Sequence, residues 1–513
     1  MVSILEVVMS KIYSIEDLKD ILLKEKKRKK KIVLCHGVFD LLHIGHIKHL
    51  EKSKSLGDKL VVTITADKYV FKGPNRPVFN ENLRSEAIAS LKVVDYVAIN
   101  YSASAALSLK LLKPDFYCKG KDYKNFKDDI TGQIKNEVKI LKSNKGKFVL
   151  TDEITFSSSS LLNLTGNINK SKHNKTIKEI KKITNFSQIK NIIDKIKENK
   201  ILVIGETIID QYNFCEAIGK SGKEPVLVLK DLSQQEFLGG AAFIAKNVAS
   251  FSDNVSLLSM LGEKKQFIKK INKELKNIDK HFIFKKNSPT ITKKRFVDHI
   301  SNNKVLGVYS FNDEILNKKD EILFEKKINT LIKKNDLVII SDYGHGLISK
   351  KIAKLICKKT KYLALNTQIN ASNIGFHTIR NYNNFFILII NEREIRHEMR
   401  DNVSELEVLI KKLAKEKKIK YIVVTSGSKG SIFFDQKNKK FYKADAYATK
   451  VIDKVGAGDT MLSVLGPCLK ANLNINASLL VSSLCAAQSV ETIGNKNIID
   501  KSKILKSLEH ILK

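Results

Sequence analysis

At 513 residues the chain is too long for one ordinary core and implies two or three domains, and its 43% hydrophobic content is that of folded globular proteins. No run of about 18 consecutive apolar residues marks a membrane helix, so no membrane partner is expected. The net charge of +37 suggests nucleic acid, yet only eight of the 91 basic residues are Arg, the type suited to bidentate recognition of phosphates and bases.

The Lys residues are spread along the whole chain beside Ile and Asn, as in a compositional bias. They read as a solvated surface whose field draws in nucleotides and sugar phosphates, with no nucleic-acid partner. A nucleic-acid-binding protein would show steeply salt-dependent binding and would carry a recognised motif, which is absent here.

The N-terminal stretch MVSILEVVMSKIYSIEDLKD has acids within its apolar part and no small-residue cleavage site, so it does not read as a signal peptide and a cytoplasmic location is expected. Residues 1–29 read as an extension, and KEKKRKKK (24–31) as a solvated helix end. From Lys31 short β-branched runs alternate with amphipathic segments. KIVLCH, KLVVTIT, DYVAIN, DFYCKG and KFVLTD read as strands, separated by helical stretches such as GHIKHLEKSKSL and NENLRSEAIASLKVV. That alternation implies a doubly wound parallel sheet over residues 30–162. Residues 163–198 are rich in Lys and Asn and read as a linker followed by a helix. A second α/β domain, 199–513, opens with KILVIGE and continues through VSLLSML, DLVIISD, KYLALN, FFILIIN and KYIVVTSG. The six Cys are widely scattered without a C-x-x-C pair, which predicts reduced and mostly buried thiols.

Within CHGVFDLLHIGHIKHL (Cys35–Leu50), a strand runs into Gly37 and a helix begins near Gly45. Such a loop aims backbone N–H groups and a helix N-terminus at one spot, and the two glycines let a ligand approach closely. His43 and His46 can donate to a triphosphate there, whereas His36 and His49 read as framework. Zinc would need further ligands that local spacing does not supply.

Gly37, Phe39, Asp40, His43, Gly45 and His46 follow the pattern G-x-F-D-x-x-H-x-G-H, which resembles the nucleotidyltransferase superfamily signature. KGPNRPVFNENLRSEAIASLKVVDYV, LKPDFYCKGKDY and TFSSSSLLN narrow the resemblance to its cytidylyltransferase-like branch, with a Rossmann-like sheet. HIGH also occurs in class I aminoacyl-tRNA synthetases, but VMSKI (8–12) and EKSKS (51–55) are both misplaced for their second motif. The resemblance implies in-line attack of an acceptor phosphate on the α-phosphorus of CTP or ATP, with release of pyrophosphate. It implies His43 and His46 as the catalytic pair, Lys72 and Arg84 on phosphates, Lys119 on the acceptor, and Ser158 and Ser159 closing over the nucleotide.

In DKVGAGDTM (Asp453–Met461), Gly456 and Gly458 precede an apolar helix whose first N–H groups can form an anion hole, with Asp459 placed to take a proton from a hydroxyl. LGGAAFIAKNVA (238–249), GETIIDQY (205–212), NERE (391–394) and VVTSGSKGS (423–431) accompany it in an order that resembles the ribokinase-like, or PfkB, carbohydrate kinases over residues 200–513. That resemblance implies an α/β domain with a small lid and phosphoryl transfer from ATP to a sugar or sugar phosphate. Asp459 would be general base. Asn391, Glu394, Ser426, Gly427, Gly430, Gly456, Ala457 and Gly458 would bind ATP and phosphates, and Asp210, Gly239, Gly240 and Asn247 the sugar. Mg2+ would be carried on the phosphates near Glu394 without direct protein ligands, alongside a monovalent cation, in a homodimer.

As a whole the chain resembles the bifunctional heptose-phosphate kinase/heptose-1-phosphate nucleotidyltransferases, with its two halves in the opposite order. Three departures stand out: Phe243 where Asn often follows G-G-A-A, Gly307 where an Arg is usual, and LNTQINASN (365–373) in place of an Asp-Pro-Lys segment. Each removes a group that could grip a sugar phosphate. The alternative reading is therefore an active nucleotidyltransferase, using glycerol 3-phosphate or another phosphate acceptor, joined to a non-catalytic kinase-like sensing module.

Overall fold

Alternating strands and helices build two α/β units in the computed structural model, which describes residues 8–73, 76–120, 132–151, 171–374, 377–448 and 450–512. The units are Met1–Lys170 with Ser502–Lys513, and Ser171–Lys501.

The first unit holds β1 (Ile12–Tyr13), β2 (Ile32–Gly37), β3 (Lys59–Thr65), β4 (Tyr96–Asn100), β5 (Phe116–Gly120) and β6 (Lys147–Thr151). They form one parallel sheet in the order β1-β4-β3-β2-β5-β6. Alternate side chains feed two cores. Ile32 and Leu34 join Val61, Ala98 and Tyr117 on one face, and Val33 and Cys35 join Leu60, Val62 and Cys118 on the other. With both faces covered, the strands read as unbroken apolar runs, and each fully buried Val, Leu or Ile stabilises by about 1.5–3 kcal/mol. Residues 8–29 are more than an extension. They supply edge strand β1 and the helix Ile15–Lys27, capped where the Ser14 side chain accepts the Asp17 N–H. A two-residue strand has no readable period, so only its pairing with β4 reveals it.

The second unit opens with β7 (Lys200–Lys220), β8 (Leu227–Gly239), β9 (Asn254–Gly262), β10 (Asp279–Lys285), β11 (Thr292–Asp298) and β12 (Lys304–Ser310). Then follow β13 (Leu337–Asp342), β14 (Leu363–Thr367), β15 (Ile387–Asn391), β16 (Tyr421–Thr425), β17 (Ser431–Asp435) and β18 (Lys440–Ala444). The main sheet runs β10-β9-β7-β13-β14-β15-β16-β17-β18, parallel up to β16. Here too neighbours along a strand serve opposite faces: Leu202, Ile204, Val338 and Ile340 on one, Ile201, Val203, Leu337 and Ile339 on the other. β7 belongs to two sheets. Its first part pairs with β9 and β13, and from Ile208 onward it pairs with β8 and β11 in a lid completed by β12. Sequence periodicity finds only the first seven residues of β7, because beyond Glu206 the burial that shapes the pattern comes from the lid.

Four helices carry the sites: α1 (Ile44–Lys54), α2 (Gly240–Val248), α3 (Glu392–Met399) and α4 (Ala457–Lys470). All six cysteines are free thiols, five of them buried. Among the described residues no helix is long and apolar enough to cross a membrane.

Candidate active sites

In the first unit β2 lies between β3 and β5, so the connections leave it in opposite directions and a crevice opens at the C-terminal strand ends. The loop after β2 reaches α1 through His43, the N-cap residue, whose Nδ1 accepts the Gly45 N–H at 3.1 Å. In a neutral ring that puts the proton on Nε2, which is buried and has no partner among the described residues. His46 stacks on His43 with ring centroids 3.9 Å apart, meets Phe39 edge-on at 5.2 Å, and also leaves its buried Nδ1 unpartnered. A bound anion at this helix start would meet both of these ring nitrogens. Burial, and then the neighbouring charges of His43 and Lys72, push His46 down to about 3, while burial and Lys72 lower His43. Both rings are therefore neutral near pH 7, and Lys72 stands close enough to act on both. A bound triphosphate would favour their charged forms.

The other two histidines are occupied. His36 meets Thr63 Oγ1 at 3.0 Å and Thr65 Oγ1 at 3.3 Å, and His49 meets Thr151 Oγ1 at 2.6 Å. Lys119, at the end of β5, donates to the His36 carbonyl at 3.1 Å and is almost fully buried. Phe39 adopts φ 49° and packs its ring against Gly37, where an added Cβ would come within 3.0 Å of it. Asp40 accepts from the Val78 and Phe79 N–H groups and lies 3.5 Å from Arg76, so it ties the 76–79 loop to the site. Arg84 requires a correction. Its guanidinium donates to the carbonyls of Val38, Thr65 and Phe79 and to Asp67, which uses four of its five N–H bonds inside the protein. It organises the loops and is not a free phosphate ligand. Ser158 and Ser159 lie outside the described residues.

The second unit gathers its residues around a cavity of about 1180 Å3. Asp210, Gly240, Asn391, Glu394, Ser426, Gly427, Gly430, Gly456, Ala457, Gly458 and Asp459 all line it. Gly456 caps α4 at φ 85°, and a Cβ there would meet Asn495 Oδ1 at 2.3 Å. Only glycine serves at that turn. Asp459 follows in the first turn, and both its oxygens accept from the Tyr343 hydroxyl, at 3.0 and 2.9 Å. Burial raises its pKa to about 6, the Tyr343 hydrogen bond working against that rise, so it is mostly ionised and able to accept a proton at neutral pH.

Tyr343 is itself held from below. The buried Glu206 accepts the N–H groups of Tyr343 and His345, each at 3.1 Å. To the same cavity β11 contributes two cations. Lys293 lies 5.3 Å from the Tyr343 ring centre, and Arg295 pairs with Asp210, which also accepts from Asn495 at 3.2 Å. Gly239 backs this arrangement without lining the cavity, since a Cβ there would come within 2.3 Å of Asp210 Oδ2. Asn391 and Glu394 form a reciprocal capping box at the start of α3, and burial raises Glu394 to about 7. Ser426 donates to Glu392 at 2.9 Å.

A pfkB family carbohydrate kinase model matches residues 198–502, more than half of the chain. This chain belongs to that family. A cytidylyltransferase-like model matches residues 34–163, ahead of the kinase. The chain is similar to bifunctional protein HldE of Campylobacter jejuni subsp. jejuni serotype O:6, at 29% identity over 330 residues, 61% of this chain and 68% of that protein. To the same-named protein of C. jejuni subsp. doylei the identity is 30% over 330 residues, with the same shares. A mutant phosphofructokinase-2 from Escherichia coli superposes with TM-score 0.50 at 13% identity, over 61% of this chain and all (100%) of that one, a likeness of fold alone. The protein is thus a bifunctional transferase combining carbohydrate kinase and nucleotidyltransferase activities, the pair that makes an NDP-sugar.

Within the kinase half one further expectation is corrected. Asn247 is fully buried, its Nδ2 donating to Thr460 and its Oδ1 accepting the Ile499 N–H, so it braces α2 against α4 and does not reach a sugar. Of the three departures, Phe243 is buried beneath the Gly456 turn and Gly307 lies exposed on β12. Neither lines the cavity, whereas Asn366 and Gln368 do. Sequence reasoning missed Tyr343, Lys293, Arg295 and Glu206. Tyr343 lies in SDYGHG beyond β13 and Lys293 and Arg295 in β11, but nothing in local spacing says that Tyr343 reaches Asp459, Lys293 the Tyr343 ring, Arg295 Asp210 or Glu206 the Tyr343 backbone.

Proposed function

We propose that the kinase half transfers the γ-phosphoryl group of ATP to a sugar that already carries a phosphate, of the heptose-phosphate class. The observation that carries this reading is the single cavity lined by Asp459, the Gly456–Gly458 turn, Lys293 and Arg295. One end suits the hydroxyl being phosphorylated, with Asp459 taking its proton and the turn's N–H groups receiving the migrating phosphoryl group. Lys293 suits an anionic group the substrate brings with it, beside the Arg295–Asp210 pair. Asn391, Glu394, Ser426, Gly427 and Gly430 then serve ATP. Glu394 is engaged in its capping box, which favours Mg2+ carried on the phosphates over direct ligation.

The transferase half, in this reading, couples a sugar 1-phosphate to the nucleotidyl group of ATP or CTP and releases pyrophosphate. The His43–His46 pair and Lys72 stabilise charge at the α-phosphate, and Lys119 serves the acceptor side. A homodimer is supported by the lid, which leaves Ile218, Leu227, Leu306 and Val308 exposed. A cytoplasmic setting accords with the six free thiols.

The test is incubation with ATP, CTP and a panel of sugars, sugar phosphates and glycerol 3-phosphate, with products read by mass. A phosphorylated sugar phosphate and an NDP-sugar are expected. ATP consumed only by the transferase step, whatever the sugar, would leave the kinase half as a sensing module.

A further inference from the structure

Arginine is scarce here, eight of 91 basic residues, yet half of it surrounds one concavity. Arg380, Arg393, Arg396 and Arg400 line a cavity of about 390 Å3 together with His397 and Asp401. Arg380 comes from the turn Ile379–Asn381, Arg393 and Arg396 from successive turns of α3, and Arg400 from its C-cap. Spacings of three and four set the last three on one side of the helix.

The local carboxylates are largely spent elsewhere. Glu392 pairs with Arg396 at 3.0 Å, Glu398 accepts the Ile379 N–H, and Asp401 accepts from the Val403 and Ser404 N–H groups and the Ser404 hydroxyl. Among the described residues no carboxylate pairs with Arg380, Arg393 or Arg400. Three like charges facing one concavity repel one another. A chain this rich in Lys has no compositional reason to choose Arg there, whereas the guanidinium's planar fork matches phosphate oxygens two at a time.

We propose that this cavity is a binding site for a diphosphate group, adjoining the kinase's nucleotide cavity and distinct from it through Arg380 and Arg400. Three unpaired forks can be shared between two linked phosphates, whose larger negative charge offsets three like charges better than one phosphate does. The diphosphate can be free pyrophosphate, which nucleotidyl transfer releases, or the tail of ADP, which the kinase releases. Arg393 and Arg396 also border the larger cavity, and α3 opens with Asn391 and Glu394, so the two cavities share one helix.

The test is calorimetric titration of the full chain with pyrophosphate, and separately with ADP, after both nucleotide sites are saturated with a non-hydrolysable ATP analogue. R380Q/R400Q alters two residues that line only the small cavity, and K273Q/K276Q removes the same charge from an exposed surface elsewhere. The expected result is one added equivalent, weakened at least tenfold in R380Q/R400Q and less than twofold in K273Q/K276Q, with the KM for ATP in the absence of pyrophosphate unchanged in both. Loss with pyrophosphate alone identifies the free product as ligand, and loss with both identifies the diphosphate tail. Equal weakening in the two variants would mean a diffuse basic field and overturn the proposal, as would unaltered binding in R380Q/R400Q or no added equivalent in the wild type.

Discussion

The two halves both place their candidate site at a helix N-terminus, reach it by different strands and then diverge at the side chains. In the transferase a central parallel strand, β2, leads into α1, whereas in the kinase α4 opens at Gly456 after the antiparallel strand β18. At that shared platform the transferase sets two stacked neutral imidazoles whose pKa values burial has lowered, and the kinase sets a carboxylate whose pKa burial has raised. Burial acts in both cases against the charged form. In the proposed mechanism the use is opposite: rings that would donate to developing negative charge on one side, and a base that would accept a proton on the other. Fold alone therefore does not separate the two chemistries, and the titrating group at the helix start does.

The sharpest way to break this contrast is to remove each group and ask which activity falls. Asp459→Asn keeps size and loses the base, so sugar-dependent ADP formation should drop by about 10²–10⁴ while pyrophosphate release by the transferase stays at wild-type level. His46→Ala should reverse the pattern, lowering transferase kcat by about 10²–10³ and leaving the kinase intact. If either variant impairs both reactions equally, the division of labour between the sites is wrong.

Arg84 tests a different point, whether a charged group beside the transferase site binds substrate or holds structure. Arg84→Lys cannot reach four acceptors and strands buried carbonyls, so chemical denaturation should show a loss of about 3 kcal/mol in the first unit. A normal stability with a raised nucleotide KM would instead restore the phosphate role.

The smallest effect is the most diagnostic for the kinase. Tyr343→Phe should cost about tenfold in kcat, in line with the loss of one charge-assisted hydrogen bond. Because the Tyr343 hydroxyl holds the Asp459 pKa down against burial, its removal should also raise that pKa. The acid limb of the kinase pH–rate profile, expected near pH 6, should then move to higher pH. A limb that stays in place would mean that Asp459 is not the titrating base.

Much of the architecture could be read from local pattern. Apolar runs in a sheet covered on both faces located β2–β6, the start of β7, β9 and β13–β16 within two residues. β1 escaped because two residues have no period, and the distal half of β7 because its partners lie in the lid; β8, β11 and β12 of that lid, and β10, β17 and β18 toward the sheet edges, were not singled out by pattern either. The glycine turns and the HIGH segment were legible for a similar reason: backbone geometry at a helix start constrains residues that are neighbours in the chain. The role of Arg84 was not legible, because whether a guanidinium meets phosphate or four internal acceptors depends on loops brought together from Val38, Thr65 and Phe79.

By itself the sequence determined the two α/β units, their order, and the two helix starts that carry His43–His46 and Gly456–Asp459, since each of these rests on contacts over a few residues. Tertiary structure alone decided the electrostatics around them. Tyr343 on Asp459, Glu206 on the Tyr343 backbone, Lys293 by the Tyr343 ring and Arg295 on Asp210 join segments 50 to more than 100 residues apart. The arginines of the small cavity, too, acquire meaning only once folding sets their charges around one concavity with the nearby carboxylates engaged elsewhere.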